Sequence, residues 1–294
     1  MGRELSELTA VVTVSDDGGS SGRLRREFGV LPPGDIRNCI AALADDEDLL
    51  ARLFQYRFEN GEGLSGHSFG NLFLTALTGI TGDFYQAILT AEAILSVRGR
   101  ILPSTLQDVR LRAVGVSGRE YDGESAVGLA SEALESLSLD PADPPSFPVA
   151  VEAIESADLI VLGPGSLYTS ILPNLLIPAI HAAVQASRAP VVLVLNLMTQ
   201  PGETDGMGAE AHLEAIERHV GAGLIDIVLV NSTPPFAGHL TPYLEEGSQP
   251  VGSDRDAFER RGIRVVATDL LADDELIRHD SEKVSGAVIE IGLG

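Results

Sequence analysis

Ala10-Val11-Val12-Thr13-Val14 runs through Ser15 into Asp16-Asp17-Gly18-Gly19-Ser20-Ser21-Gly22-Arg23, and this junction decides how the rest of the chain reads. The first five residues are continuously apolar, the pattern of a strand covered on both faces. The next eight put two carboxylates, three glycines, two hydroxyls and an arginine at that strand's end. Glycines let backbone N–H groups approach an anion, and carboxylates can hold a divalent cation. Asp17, Gly18, Gly19, Ser20, Ser21 and Arg23 are therefore candidate ligand contacts, and Asp16 is a candidate metal ligand.

Four further apolar runs, at 158–162, 190–195, 225–230 and 263–268, have the same continuous character. Between them, residues 83–97, 149–154, 178–186 and 208–220 show apolar residues at helical spacing. Strand–helix alternation predicts a doubly wound, three-layer α/β sandwich with a mostly parallel sheet. Residues 34–100 hold several helices and no strand, and read as a helical excursion packed beside the sheet. Residues 138–148 contain four prolines and form a loop. One domain spans 1–294.

The charge balance narrows the partners. With 43 acidic and 20 basic residues in 294, the net charge is −23, which repels nucleic-acid phosphates and anionic membranes. Cys39 is the only cysteine, so one chain can form no disulfide, and its apolar helical setting reads as core rather than nucleophile. No apolar run reaches the ~20 residues of a membrane span, and the N-terminus has no signal-peptide core, so a cytoplasmic protein is expected. A homodimer is left open.

The other strand ends are also polar. Strand 158–162 runs into Gly163-Pro164-Gly165-Ser166-Leu167-Tyr168-Thr169-Ser170, either a second anion-binding helix start or a plain turn with a hydroxyl cap. Strand 190–195 runs into Asn196, then Thr199 and Gln200 in a loop to Thr204, and strand 225–230 into Asn231-Ser232-Thr233-Pro234. Ligands of open α/β sheets bind beyond the carboxyl ends of the strands, so these loops suggest one continuous crevice. In Pro32-Pro33-Gly34-Asp35-Ile36-Arg37-Asn38, Asp35 is either a helix N-cap or a second carboxylate for Mg²⁺ with Asp16. Arg23 and Arg37 are the phosphate candidates, whereas Arg25 and Arg26 read as a solvated helix face. His67 and Asn71, at i and i+4, read as sharing a helix face, either orienting a substrate or capping a Gly-rich turn. Tyr243 could stack on a base and Arg278 meet phosphates, though both also fit ordinary surface residues. There is no G-x-x-x-x-G-K-[ST] loop and no G-x-S-x-G elbow.

Taken together, VTVSDDGGSSGRLR, PPGDIRNCIAAL, LFQYRF, GHSFGNLFLTAL, GRILPST, ADLIVLGPGSLYTSILPNLL, NLMTQPGET and DIVLVN resemble the YvcK-like gluconeogenesis factors of the CofD (2-phospho-L-lactate transferase-like) superfamily. The resemblance covers nearly the whole chain. It implies a Rossmann-like fold, a cytoplasmic bacterial protein and UDP-N-acetylglucosamine as ligand. The implied role is support of cell shape and wall synthesis on gluconeogenic carbon sources. For the transferase branch it implies a Mg²⁺-dependent phospholactyl transfer from a nucleotide-activated donor. By that resemblance Asp16 and Asp35 match metal-binding carboxylates. Tyr243 and Arg278 look like the ligand-contacting Tyr and Arg of the gluconeogenesis factors, and Asn38, beside Arg37 in the second motif, is a further candidate ligand contact. The family opens with a strand and a Gly-Gly-Gly-Thr-Gly loop, whereas this chain opens at Met1-Gly2-Arg3-Glu4-Leu5-Ser6-Glu7-Leu8, which resembles the tail of the next helix. The expectation is a chain lacking that first strand and loop, through a late start or a truncation.

Overall fold

The protein is described from a computed structural model, over residues 7–44 and 49–293. The expectation about the opening helix tail falls mainly on residues 1–6 and lies outside the described residues. Elements follow in chain order as β1 (Thr9–Val12), α1 (Gly19–Phe28), α2 (Gly34–Leu43), α3 (Leu49–Gln55), α4 (Phe69–Thr81), α5 (Phe84–Ile94) and β2 (Arg100–Pro103). Next come β3 (Arg110–Gly115), β4 (Glu120–Asp122), α6 (Glu124–Val127), β5 (Leu134–Asp140), α7 (Pro148–Glu155) and β6 (Ile160–Leu162). A π-helical turn (Leu167–Ile171), α8 (Leu172–Leu175), α9 (Pro178–Ala186), β7 (Val191–Val194), α10 (Ala209–Val220) and β8 (Ile227–Asn231) lead to α11 (Ala237–Glu245), α12 (Arg255–Glu259), β9 (Arg264–Thr268) and α13 (Ser281–Leu293).

Strands β6-β7-β8-β9 form one parallel sheet in that order. The central strands β7 and β8 are continuous apolar runs because both faces are covered, whereas the edge strands β6 and β9 are partly exposed. Val191 and Leu193 of β7 face the main core, which holds Leu213 of α10 and Val184 of α9. Val192 and Val194 face a second cluster built with Ala287 and Ile291 of α13. Alternate residues of one strand thus enter different cores, and this makes the three layers.

The other strands refine the expectation. β1 pairs in parallel with β2, Thr9 opposite Arg100, rather than within the four-stranded sheet. The helical excursion is present as α2 to α5 among the described residues, and packs Ile36, Ile40, Phe54, Leu74 and Ile88 onto Val12 and Val14. An antiparallel sheet β4-β3-β5 over residues 110–140 went unforeseen. It carries a short-period signal: Leu111 and Ala113 are buried while Arg110 and Arg112 are exposed, as in a sheet wet on one face. The arginines and the brevity of β4 weaken that signal to a few residues.

The reading of Arg25 is overturned. It lies on the buried side of α1 at 8% exposure, where its guanidinium donates to the Val109 carbonyl (2.7 Å) and pairs with Asp108 (2.5 Å). Arg26 is exposed. Cys39 is half-buried against the helical core, and burial, with the Asp35 charge, pushes its thiol up to about 11, so it stays protonated at neutral pH. No single helix among the described residues is long and apolar enough to cross a membrane; the one bent apolar pair, in residues 167–186, contributes Leu172, Leu175 and Ile180 to the main core.

Candidate functional site

The loop after β1 is a tight turn closed by its own carboxylate. Gly18 N–H donates to Asp16 Oδ1 (2.9 Å), and α1 begins at once. The helix packs hard on this turn, because a Cβ on Gly22 would run into the Asp17 carbonyl. Gly18 caps α1 without a side-chain hydrogen bond, which leaves the first-turn amides of Gly19, Ser20 and Ser21 without a protein partner among the described residues. Buried His67 shares a hydrogen bond with the Ser20 hydroxyl (2.9 Å), and Asn71 Nδ2 donates to the Ser21 hydroxyl (3.3 Å). His67 and Asn71 thus meet the same helix start, but not by sharing a helix. His67 precedes α4, whose N-cap is Ser68. Burial and the Arg23 charge hold the His67 imidazole below its usual range.

α2 delivers Asp35 to the same place. The residue lies in the first helical turn rather than at the N-cap, which is Pro33, so capping does not account for it. A Cβ on Gly34 would strike the Asp16 carboxylate and the Ser21 hydroxyl, so this glycine lets α2 approach the β1 turn. Arg37, one turn on, crosses Gly70 with its stem, and its Nε is buried with no partner. Arg23 donates to the Ser65 carbonyl (2.9 Å), and Asn38 is exposed on α2.

A carboxylate that sequence reasoning missed completes the cluster. α6 follows β4, and its first residue, Glu124, comes against the Asp16 carboxylate. The next amide, Ser125 N–H, donates to Asp17 Oδ1 (2.9 Å). Burial, then the Asp16 and Asp35 charges, push Glu124 up to about 8, and burial and Asp16 push Asp35 up to about 6. No motif marks Glu124. It reaches the site only because β3 and β4 carry α6 there. Among the described residues no three Asp, Glu, His or Cys side chains form a ready metal cage. Mg²⁺ ordinarily takes one or two carboxylates plus waters and phosphates, and crowded carboxylates that resist ionisation suit a cation.

This crowding has a measurable sign. Both groups bind protons more tightly folded than unfolded, from reference values of 3.8 for Asp35 and 4.5 for Glu124. Their contribution to stability is full below those values and is lost as pH rises through about 6 and about 8. Glu124→Gln should therefore be more stable than the wild type near pH 9 by about 1–2 kcal/mol after solvent screening, and no more stable near pH 4. Urea unfolding at the two pH values in metal-free buffer checks this, and a pH-independent difference would refute it.

The second polar group lies after β6 and β7. Asn196 grips the 163–165 turn from both sides, donating to the Gly165 carbonyl (3.0 Å) and accepting from Gly165 N–H (3.3 Å). Gln200 Nε2 donates to the Ser166 hydroxyl (2.7 Å). The turn that follows has two of its amides taken by the protein itself, which the sequence did not suggest. Tyr168 N–H (2.7 Å) and Thr169 N–H (3.2 Å) both donate to Glu203, a carboxylate only 6% exposed. The exit of α6 joins the two groups, since Gly128 abuts Thr169 and Gly202 packs on the Ala130 carbonyl.

The third group is peripheral. Tyr243 on α11 accepts from Ile277 N–H (3.0 Å), and exposed Arg278 pairs with Asp274 (2.5 Å). Tyr243, Gly238, His239, Pro242 and Leu276 line a cleft of about 500 Å³. Thr199 ties this region to the second group: Thr199 N–H donates to the Gln249 carbonyl (2.7 Å), and Gln249 N–H donates back to its hydroxyl (2.9 Å).

Comparison with known proteins agrees with this architecture. Residues 1–271 match the profile of 2-phospho-L-lactate transferase CofD. A Bacillus subtilis protein named gluconeogenesis factor is 44% identical over 286 residues, 97% of this chain and 90% of its own length. A Nostoc relative is 50% identical over 97% of this chain, but this chain spans only 63% of that relative's length. The crystal structure of a UPF0052 protein from Bacillus halodurans superposes with a TM-score of 0.93 at 44% identity, covering 96% of this chain and 91% of that one. With its motifs, its fold and its closest-packed glycines in these places, the chain belongs to the CofD family, alongside the proteins named gluconeogenesis factors.

Proposed function

We propose that the protein binds a nucleotide sugar, UDP-N-acetylglucosamine, along the carboxyl ends of its strands, and by doing so supports cell shape and wall synthesis on gluconeogenic carbon sources in the cytoplasm. One observation carries the reading. Free amides at the start of α1 and the unpartnered Arg37 Nε lie beside the carboxylates Asp16, Asp35 and Glu124. Such a place suits a ligand that brings both an anion and a divalent cation, as a Mg²⁺-bound diphosphate does. Asp16 and Asp35 would hold Mg²⁺, which neutralises phosphate charge when bound. Gly19, Ser20 and Ser21 would receive the pyrophosphate, and the Tyr243 cleft would take the base.

Calorimetry on the full chain with UDP-N-acetylglucosamine and Mg²⁺ is the test. Saturable heat is expected, with affinity roughly tenfold weaker in Tyr243→Ala through lost stacking. No heat at millimolar ligand from folded protein would overturn the reading. The family profile also favours a second one, Mg²⁺-dependent transfer of a phospholactyl group from a nucleotide-activated donor. Full turnover of a supplied donor by Asp35→Asn would count against it.

A further inference from the structure

Two strand-end loops differ in how much of their backbone the protein has already taken. At the start of α1 the amides of Gly19, Ser20 and Ser21 have no protein partner among the described residues. In the π-helical turn two of the three corresponding amides are filled, because Glu203 accepts from both Tyr168 N–H and Thr169 N–H, and only Leu167 N–H has no protein partner among the described residues. The Glu203 side chain is sequestered from water, and the Ser166 hydroxyl lies near it. An ionised carboxylate is acceptor-only, so it takes both of these amide donors and leaves neither for a second anion. A phosphate arriving there would meet a fixed negative charge at close range in a low-dielectric setting.

What the loop does present is neutral. The Ser166 hydroxyl accepts from Gln200 Nε2, and among the described residues Gln200 Oε1 is buried with no hydrogen-bond partner. An unsatisfied buried acceptor is costly until a donor reaches it. A hydroxyl or amide N–H of an uncharged group would supply one.

We infer that Glu203 is a specificity-determining residue which reserves the Ser166–Gln200 loop for the uncharged, hydroxyl-bearing part of the ligand and confines its phosphates to the start of α1. The choice of ligand class rests on the nucleotide-sugar reading. The exclusion of anions from this loop does not.

Two measurements on the full chain separate them. The first titrates inorganic pyrophosphate with Mg²⁺ against backbone-amide NMR signals. Shifts are expected at Gly19, Ser20 and Ser21 and not at Tyr168 or Thr169. Direct shifts at Tyr168 and Thr169 would overturn the exclusion, and this arm is decided even if no nucleotide binds. The second measures the preference for UDP-N-acetylglucosamine over UDP. Gln200→Ala and Glu203→Ala should each cut that preference about three- to tenfold, the worth of a lost hydrogen bond to a neutral group. Glu203→Gln, which keeps an acceptor on the two amides, should restore most of it. Equal weakening of both ligands by Gln200→Ala, with the preference intact, would overturn the assignment. If Glu203→Ala fails to fold, Gln200→Ala decides. Absence of binding to either ligand by the wild type would overturn both the nucleotide-sugar reading and the ligand class assigned to this loop, and leave the exclusion to the pyrophosphate result.

Discussion

Gly123→Ala should lower the unfolding free energy by about 2–4 kcal/mol, the largest loss expected from removing no contact at all. Gly123 caps α6 at φ 96° and ψ 155°, a region that only glycine enters without strain. That strain alone is worth ~1–3 kcal/mol. An added Cβ would also strike the Asp17 carboxylate, which is not free to swing away because it accepts from Ser125 N–H (2.9 Å). Losing that bond adds roughly 0.5–1.5 kcal/mol. α6 would shift, and Glu124 with it, so the stability difference between about pH 4 and pH 9 should shrink alongside the loss. Urea unfolding reads both, and a change under ~0.5 kcal/mol would show that the turn relaxes freely.

Arg25→Ala should cost about as much for a different reason. Its buried guanidinium satisfies the carbonyl of Val109, a residue 2% exposed, and its stem fills space under α1. Truncation orphans that carbonyl at ~1–3 kcal/mol and leaves a void, for a total of about 2–4 kcal/mol. The ion pair itself is the smaller part. Asp108 is 65% exposed and regains water when the pair breaks, so Asp108→Asn should cost less than about 1 kcal/mol. Arg25→Met, which keeps an apolar stem and abandons two buried, unpartnered guanidinium nitrogens, should fall between the two. Equal losses in Arg25→Ala and Asp108→Asn would mean that the charge pair, and not the buried carbonyl, holds α1.

Several features were legible along the chain because they are local. The runs that became β7 and β8 announce themselves since both faces of the sheet's centre are covered and nearly every residue there is apolar. The glycines of the β1–α1 junction are legible for a similar reason, because a close backbone approach admits no side chain. Arg25 misled because a buried arginine and a solvated one have the same neighbours in sequence. Only packing reveals that Val109, 84 residues on, needs its N–H groups. Glu124 was invisible because four residues of α6 carry no periodic signal, and the antiparallel strands that deliver it break the α/β pattern around them.

The sequence by itself determined the family, the three-layer plan and the strand ends where polar groups gather, since motif, period and glycine placement are properties of neighbouring residues. Tertiary structure alone decided which of those groups meet. It set Asp16, Asp35 and Glu124 against one another across more than a hundred residues, and it placed the Glu203 carboxylate on the amides of Tyr168 and Thr169. The physical reason is that hydrogen bonds and charge–charge energies depend on distance in space. A loop that reads as an anion cradle keeps that capacity only if no other part of the chain has folded a carboxylate into it.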